Sequence, residues 1–408
     1  MSTLMQTAPV PKTRLTLPPT AAFAGTSLAF AALYLAAGAP TPLFVLFQHE
    51  WGFPAWLITV AFAAYAIALL AALLVAGSLS DHIGRRPVLI GALALEVVAM
   101  LMFVLADDIG LVIAARVVQG VATGVATSAF TASVVELAPD RLKRLGAIIG
   151  GVAAAGGLGL GALFSGIAVQ FSPKADVVVF TTLAVIMAVG LLVAVFSRET
   201  VRPKAGALDS LVPRVSVPRA ARAEFAAAAP VQVAAWMLAG LFLGLVPTIV
   251  RDIFEIDSGL LNGVTTFAEP AAAAIAGFVL GRLAARRATI AGGIAVAVGA
   301  AVIVAGVAFG TFPLLVLGGI IGGAGFGASF SGSLRTLGPL AHPHERAGLF
   351  AGVYVVAYLA FGVPSIIVGL LIAPLGLVPV IVGYAVVIVL VAVAGLAAQY
   401  RRERSMFA

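Results

Sequence analysis

The sequence predicts an all-α polytopic membrane protein, with twelve transmembrane helices in two pseudo-symmetric six-helix bundles. Three observations carry that prediction. The 408 residues are 62% hydrophobic and only 10% charged, with a mean hydropathy of +1.14. A soluble domain of this size does not need so much apolar residue. The apolar residues gather into runs close to the ~20 residues that carry a helix across a bilayer. The runs are continuous rather than alternating, unlike the strands of an outer-membrane barrel.

The expected spans lie at about 21–47, 55–78, 88–106, 109–136, 146–171, 177–197, 225–250, 260–281, 288–310, 313–338, 347–372 and 377–399. Residues 1–20, rich in Pro and Thr, read as an N-terminal tail. The first run is too long for a signal-peptide core, so it is expected to remain as a span. Pro40 and Pro42 bracket Thr41 and are expected to break that first helix, since proline has no N–H to donate. Gly and Ala recur through the spans and suit close helix packing.

Lys and Arg set the orientation. With the N-terminus in the cytoplasm, 20 of the 24 fall in cytoplasmic segments. Only Lys174 and Arg251 fall outside, while Arg116 and Arg335 lie within spans. Both termini are therefore expected in the cytoplasm. Arg outnumbers Lys and Asn262 is the only asparagine, a bias associated with GC-rich bacterial genomes. The expected location is a bacterial inner membrane.

The longest polar stretch, 198–224, reads as a cytoplasmic linker; a basic amphipathic helix on the membrane surface is the other reading. It separates an N-terminal bundle, 21–197, from a C-terminal bundle, 225–399, and 400–408 reads as a C-terminal tail. The halves look repeated: LAPDRLKRLGA at 137–147 returns as LAHPHERAGLF at 340–350, and the turn at Gly77 has a shortened echo in GRLAARR at 281–287.

The turn itself, GSLSDHIGRRP at 77–87, packs both signs of charge between two bilayer-length runs. Gly77 and Gly84 offer close approach and positive φ. The string resembles the G-x-x-x-D-[RK]-x-G-R-[RK] loop of the major facilitator superfamily, with His82 at a position usually Arg or Lys. RVVQG at 116–120 is similar to the fourth-helix motif of the same superfamily. Six-plus-six repetition and a cavity at the bundle interface are how such transporters are built. The resemblance implies alternating access. It also implies gating roles for Gly77, Asp81, Gly84, Arg85, Arg86 and Glu136, with Asp81 bracing the start of the eleventh helix near Arg346 when the inner gate is closed. Glu136 is expected to pair with Arg85 or Arg86. The fifth span is glycine-rich, like that of drug–proton antiporters, but lacks their Gly-Pro pair; plain small-residue packing explains it equally.

Arg116 lies roughly 10 Å into its span. A guanidinium at that depth faces a wet cavity or a partner, and the resemblance ties it to proton coupling; a purely structural Arg is the alternative. Glu96 can face it across the third–fourth hairpin as a further proton-coupling candidate; because the third span is usually peripheral in this fold, a structural role is the alternative. Glu269 sits mid-span beside Pro270 and is the best candidate for carrying a proton or cation. The fold family lines its path with the first, fourth, seventh and tenth helices. That nominates Tyr34, Thr41, Gln119, Thr123, Gln232, Trp236, Phe326 and Phe330, with Tyr354 and Tyr358 from the eleventh. The set is mostly apolar and aromatic and suits amphipathic compounds better than sugars.

The expected function is proton-coupled efflux of small amphipathic or drug-like compounds. Proton-coupled uptake of an organic acid or similar metabolite is the first alternative and a membrane sensor the second. The sequence points to no enzyme: it has no phosphate-binding G-x-x-x-x-G-K-[ST] loop, no cysteine, and no histidine–acid cluster suited to a catalytic metal. No cofactor is expected. The expected partners are a small-molecule substrate, protons and the bilayer, not nucleic acid, with the chain acting as a monomer.

Overall fold

The computed structural model describes residues 16–407. Most of the tail read at 1–20 lies outside them. Twelve helices are long and apolar enough to cross a membrane: α1 (Pro19–Trp51), α2 (Trp56–Ala76), α3 (Arg85–Val104), α4 (Ile109–Leu137), α5 (Asp140–Phe171), α6 (Ala175–Phe196), α7 (Arg219–Gly244), α8 (Gly259–Arg282), α9 (Ala285–Ala308), α10 (Phe312–Leu340), α11 (Arg346–Leu375) and α12 (Leu377–Arg404). No strand occurs among the described residues. The protein is a multi-pass, all-helical membrane protein.

Local sequence sets where the helices bend and stop. α1 is divided at Ala39, between Pro19–Gly38 and Pro40–Trp51, where Pro40 and Pro42 remove two backbone donors on either side of Thr41. α7 stops at Gly244, and a short helix, Val246–Asp252, follows with Pro247 in its first turn. The sequence reading ran that span straight through to 250. Asp108 and Ser258 cap α4 and α8 by accepting from the N–H groups of Leu111 and Leu261. The final helix does not stop at 399 but continues through the residues read as a C-terminal tail, up to Phe407.

α1 and α7 are the most enclosed spans, with 83% and 72% of their apolar windows buried, against 33% for α12. They therefore occupy the middle. Within each bundle, glycines bring lining helices into backbone contact. A Cβ on Gly120 or Gly124 of α4 would run into the carbonyl oxygens of Tyr65 and Leu69 on α2. In the second bundle Gly323 and Gly327 of α10 meet the carbonyls of Glu269 and Ala273 on α8 in the same way. The repeat seen in the sequence is thus a repeat of helix packing.

The bundles meet along α5 against α8 and α2 against α11. Near the end of the molecule away from the linker these seams are tight: Gly166 touches Gly263 backbone to backbone, and Gly369 packs on Thr59. The linker is irregular apart from the turns Asp209–Leu211 and Arg219–Ala221. It lies on both bundles. Lys204 N donates to the His82 carbonyl at 2.9 Å, and Ser216 N to the Gly348 carbonyl at 3.2 Å.

Candidate functional site

Between the bundles lies a cavity of about 740 Å³, which runs from mid-helix to the linker-side ends of α5, α8 and α10. At that mouth stand Arg144, Gly281 and Arg335. The opposite end is shut by bonds between the bundles. Thr41 Oγ1 donates to the Leu243 carbonyl at 3.0 Å, Arg251 Nη1 to the Val45 carbonyl at 3.2 Å, and Ser258 Oγ to Gln170 Oε1 at 2.9 Å. The molecule is therefore open on the side of the linker and closed on the other.

The wall is aromatic, with Trp236 of α7 at its centre. Its ring stands 5.1 Å from Phe326, 5.6 Å from Phe330, 5.2 Å from Tyr358 and 5.7 Å from Phe361. Tyr34 and Tyr354, also nominated from sequence, line the same space. Tyr34 Oη lies 3.0 Å from Thr127 Oγ1. Tyr65, Thr127 and Phe361 also belong to the wall; Tyr65 lies on α2, outside the helices expected to line the path, while Thr127 and Phe361 lie on α4 and α11, which are among them.

The four polar candidates are not on the wall. Thr41 is spent on the Leu243 carbonyl. Thr123 Oγ1 donates to the carbonyl of Gln119 at 2.9 Å in its own helix. Gln232 Nε2 donates to Ser333 Oγ at 2.9 Å. Gln119 is enclosed within the first bundle. Each finds a partner inside the protein, which a buried polar side chain must do, so none is turned toward the cavity.

Glu269 does reach the wall. Pro270 lacks the N–H that would bond the Thr266 carbonyl, and the tight seam to Gly323 fixes the backbone of α8 at this point. The residue is 2% exposed, and its Oε1 has no hydrogen-bond partner.

Arg116 does not face the cavity. It is 1% exposed and enclosed by α1, α2 and its own helix. Nη1 donates to the Ala37 carbonyl at 3.0 Å and to Gln119 Oε1 at 2.6 Å, and the guanidinium lies 4.1 Å from the Tyr65 ring centroid. Gln119 Nε2 then donates to Glu96 Oε1 at 3.1 Å and to the Ala36 carbonyl at 2.9 Å. Glu96 thus meets Arg116 through an amide rather than directly. The carbonyls are available because α1 breaks nearby. What the sequence showed as a deep, costly charge is a sealed network with its own acceptors.

The 77–87 turn is a charged knot on the linker side. Asp81 pairs with Arg85, and Arg85 Nη2 reaches Glu136 Oε1 at 3.3 Å. Asp81 bonds within its own turn rather than to the start of α11, which instead meets Ser216 of the linker. Arg86 contributes its backbone: the Glu199 carboxylate accepts from Arg85 N at 2.9 Å and from Arg86 N at 3.0 Å, capping α3. Gly84 holds φ +106°, and a Cβ there would strike that carboxylate. Gly77, by contrast, is helical, with φ −60°, so its expected positive φ is not used. Thr200 Oγ1 adds a bond to Glu136 Oε2 at 2.5 Å. Glu199 and Thr200 were missed because a local sequence gives no sign that the linker folds back onto the turn.

The family model described as Major Facilitator Superfamily matches residues 26–308. With the loop, the repeat and the cavity in place, the chain belongs to that superfamily and is a transporter rather than an enzyme. Among solved structures, it is similar to a POT family transporter in complex with a thioalcohol-conjugated peptide and to one in complex with 5-aminolevulinic acid. Each has TM-score 0.75 and 13% identity, over 94% of this chain and 96% of the other. At that identity the likeness is one of fold. No curated protein matches the sequence.

Proposed function

We propose that this transporter exports small amphipathic compounds from a bacterial cell, in exchange for protons, by alternating access in the inner membrane with both termini cytoplasmic. The observation that carries the proposal is the cavity: aromatic walls, one buried carboxyl, and an opening on the side the basic residues assign to the cytoplasm. Glu269 is the proton carrier in this reading. Its surroundings must differ between the two open states, and that difference couples protonation to conformation. Arg116, Gln119 and Glu96 brace the first bundle, and the 77–87 turn with Glu136 gates the linker side. The chain works as a monomer.

The test is flux in proteoliposomes under an imposed pH gradient, with a panel of amphipathic dyes and a panel of organic acids. Proton-driven dye movement toward the side opposite the linker is expected. Uptake of an organic acid is the second reading, and one observation favours it: Arg144 and Arg335 stand at the cavity mouth. Movement of acids alone, toward the linker side, would replace the first reading with the second.

A further inference from the structure

Three buried polar atoms on the cavity wall have no protein partner: Arg335 Nη2 at the mouth, and deeper in, two of opposite kind, Glu269 Oε1 and Trp236 Nε1. When ionised, Glu269 can only accept a hydrogen bond or attract a positive group; Trp236 Nε1 can only donate. A buried polar atom without a partner costs free energy that a ligand recovers on binding. Around these two atoms the wall is ring surface: Phe326, Phe330, Tyr358 and Phe361 all pack on Trp236. Ring faces attract cations as well as apolar bodies.

The cations of the wall are far from this point. Arg335 Nη1 donates to the Gly281 carbonyl at 3.0 Å, which places it level with Gly281 at the mouth. Gly281 is twelve residues along α8 from Glu269, roughly 18 Å at the helical rise. Arg144 is in the first turns of α5, at the same mouth. Arg116 is walled off behind Tyr65, with its N–H groups taken up by carbonyl and amide acceptors of its own bundle. The pocket around Glu269 and Trp236 is therefore acidic and aromatic, whereas the mouth is basic.

We infer that the site selects amines: an ammonium group at Glu269, an aromatic or alicyclic body among the rings, and a hydrogen-bond acceptor, where present, at Trp236 Nε1. The inference rests on the transporter reading above and adds the substrate class to it. The basic mouth acts on how ligands arrive, not on which are held.

Three isosteric probes decide it: phenylbutylamine, phenylbutanol and phenylbutanoate, each measured by equilibrium dialysis against the full-length protein in lipid nanodiscs at about pH 8, where the amine is a cation. The amine is expected to bind roughly tenfold tighter than the alcohol, as a charge-assisted bond provides, and the carboxylate weakest. Glu269→Gln should bring the amine down to the alcohol while leaving alcohol binding unchanged. Equal binding of amine and alcohol by the unaltered protein, or tightest binding of the carboxylate, overturns the inference. So does an amine preference that survives in Glu269→Gln. The ranking by the unaltered protein decides the matter even where the variant fails to fold. The same probes in proteoliposomes separate the two claims. Amine selectivity without proton-driven flux would leave the substrate class standing and remove proton-coupled export. Proton-driven flux without amine selectivity would do the reverse.

Discussion

Tyr65 in the first bundle and Glu269 in the second occupy matching places. Each offers its backbone carbonyl to a glycine of the facing helix, Gly120 or Gly323. Beyond the backbone the two regions diverge. Behind Tyr65 the first bundle stores a guanidinium, an amide and a carboxyl, bonded to one another and to the carbonyls of α1. At the corresponding turns of α10 the second bundle has Gly319 and Gly322, where a Cβ would meet Phe242 and Leu238. Apolar side chains fill what polar ones fill in the first half. The only acid at this level of the second bundle is Glu269, and it is left for the cavity. The contrast shows that depth in the membrane alone does not mark a working charge. Glu96 Oε2 also lacks a partner, but Glu96 is fully enclosed in the first bundle. A deep charge walled off from the cavity is expected to be architecture, and one with a missing partner on the cavity wall to be available for ligand or proton.

The largest effect expected is at Arg116. Arg116→Ala leaves the Gln119–Glu96 pair and two carbonyls without their cation, a loss of about 3 kcal/mol or more for a broken buried charge network. The unfolding temperature in detergent should drop by several degrees and all transport should fall with it. Arg116→Lys should recover only part, because a point charge cannot serve two directions as a planar fork does. An Arg116→Ala protein with unaltered melting but no proton coupling would break the contrast, by making that network functional after all.

Next comes Glu269→Gln, which should melt as the parent does. Proton-driven accumulation should fall to the level seen without a gradient, while substrate counterflow persists. An unchanged pH profile of uphill transport would make Glu269 structural, like the Arg116 network of the first bundle.

Smaller effects should follow at the charged turn. Glu199→Gln weakens the cap on α3 and should cost on the order of 1 kcal/mol, read as a lower melting temperature. Gly84→Ala should cost at least as much, because it meets both the positive φ and the Glu199 carboxylate. Indifference at both positions would show the linker to be a passive cover. Asp81→Asn should be the mildest in binding terms. It should slow transport yet leave substrate affinity of a conformationally locked protein within about twofold, against the tenfold that 1.4 kcal/mol would give. A parallel loss of affinity would move the turn from gate to site.

Much of this was legible in the sequence. The twelve spans, the break at Pro40 and Pro42, the charged turn and the Arg85–Glu136 pairing follow from hydropathy, proline chemistry and a familiar string. The aromatic nominees Tyr34, Trp236, Phe326, Phe330, Tyr354 and Tyr358 sit on the cavity wall, on the helices that face the gap between the bundles. The polar nominees failed for the opposite reason. Thr41, Gln119, Thr123 and Gln232 are small enough to turn inward, and their acceptors are backbone atoms or side chains of other turns and helices that no local pattern reveals. Arg116 gave away its depth but not its direction. Glu199 gave away nothing, since its role depends on a linker that returns to a turn more than a hundred residues earlier.

That linker has a mechanical side. Its fixed points are Lys204 and Ser210 on the first bundle, where Ser78 Oγ donates to the Ser210 carbonyl at 3.1 Å, and Ser216 on the second. Between Ser210 and Ser216 lie six residue steps, which fully drawn out reach roughly 20 Å. It behaves as a short strap. The bundles can rock within that reach before it tightens, and no attachment has to let go. Its ends hold on while its middle pays out, so the length between them, not the strength of any one bond, sets how wide the mouth of the molecule can gape.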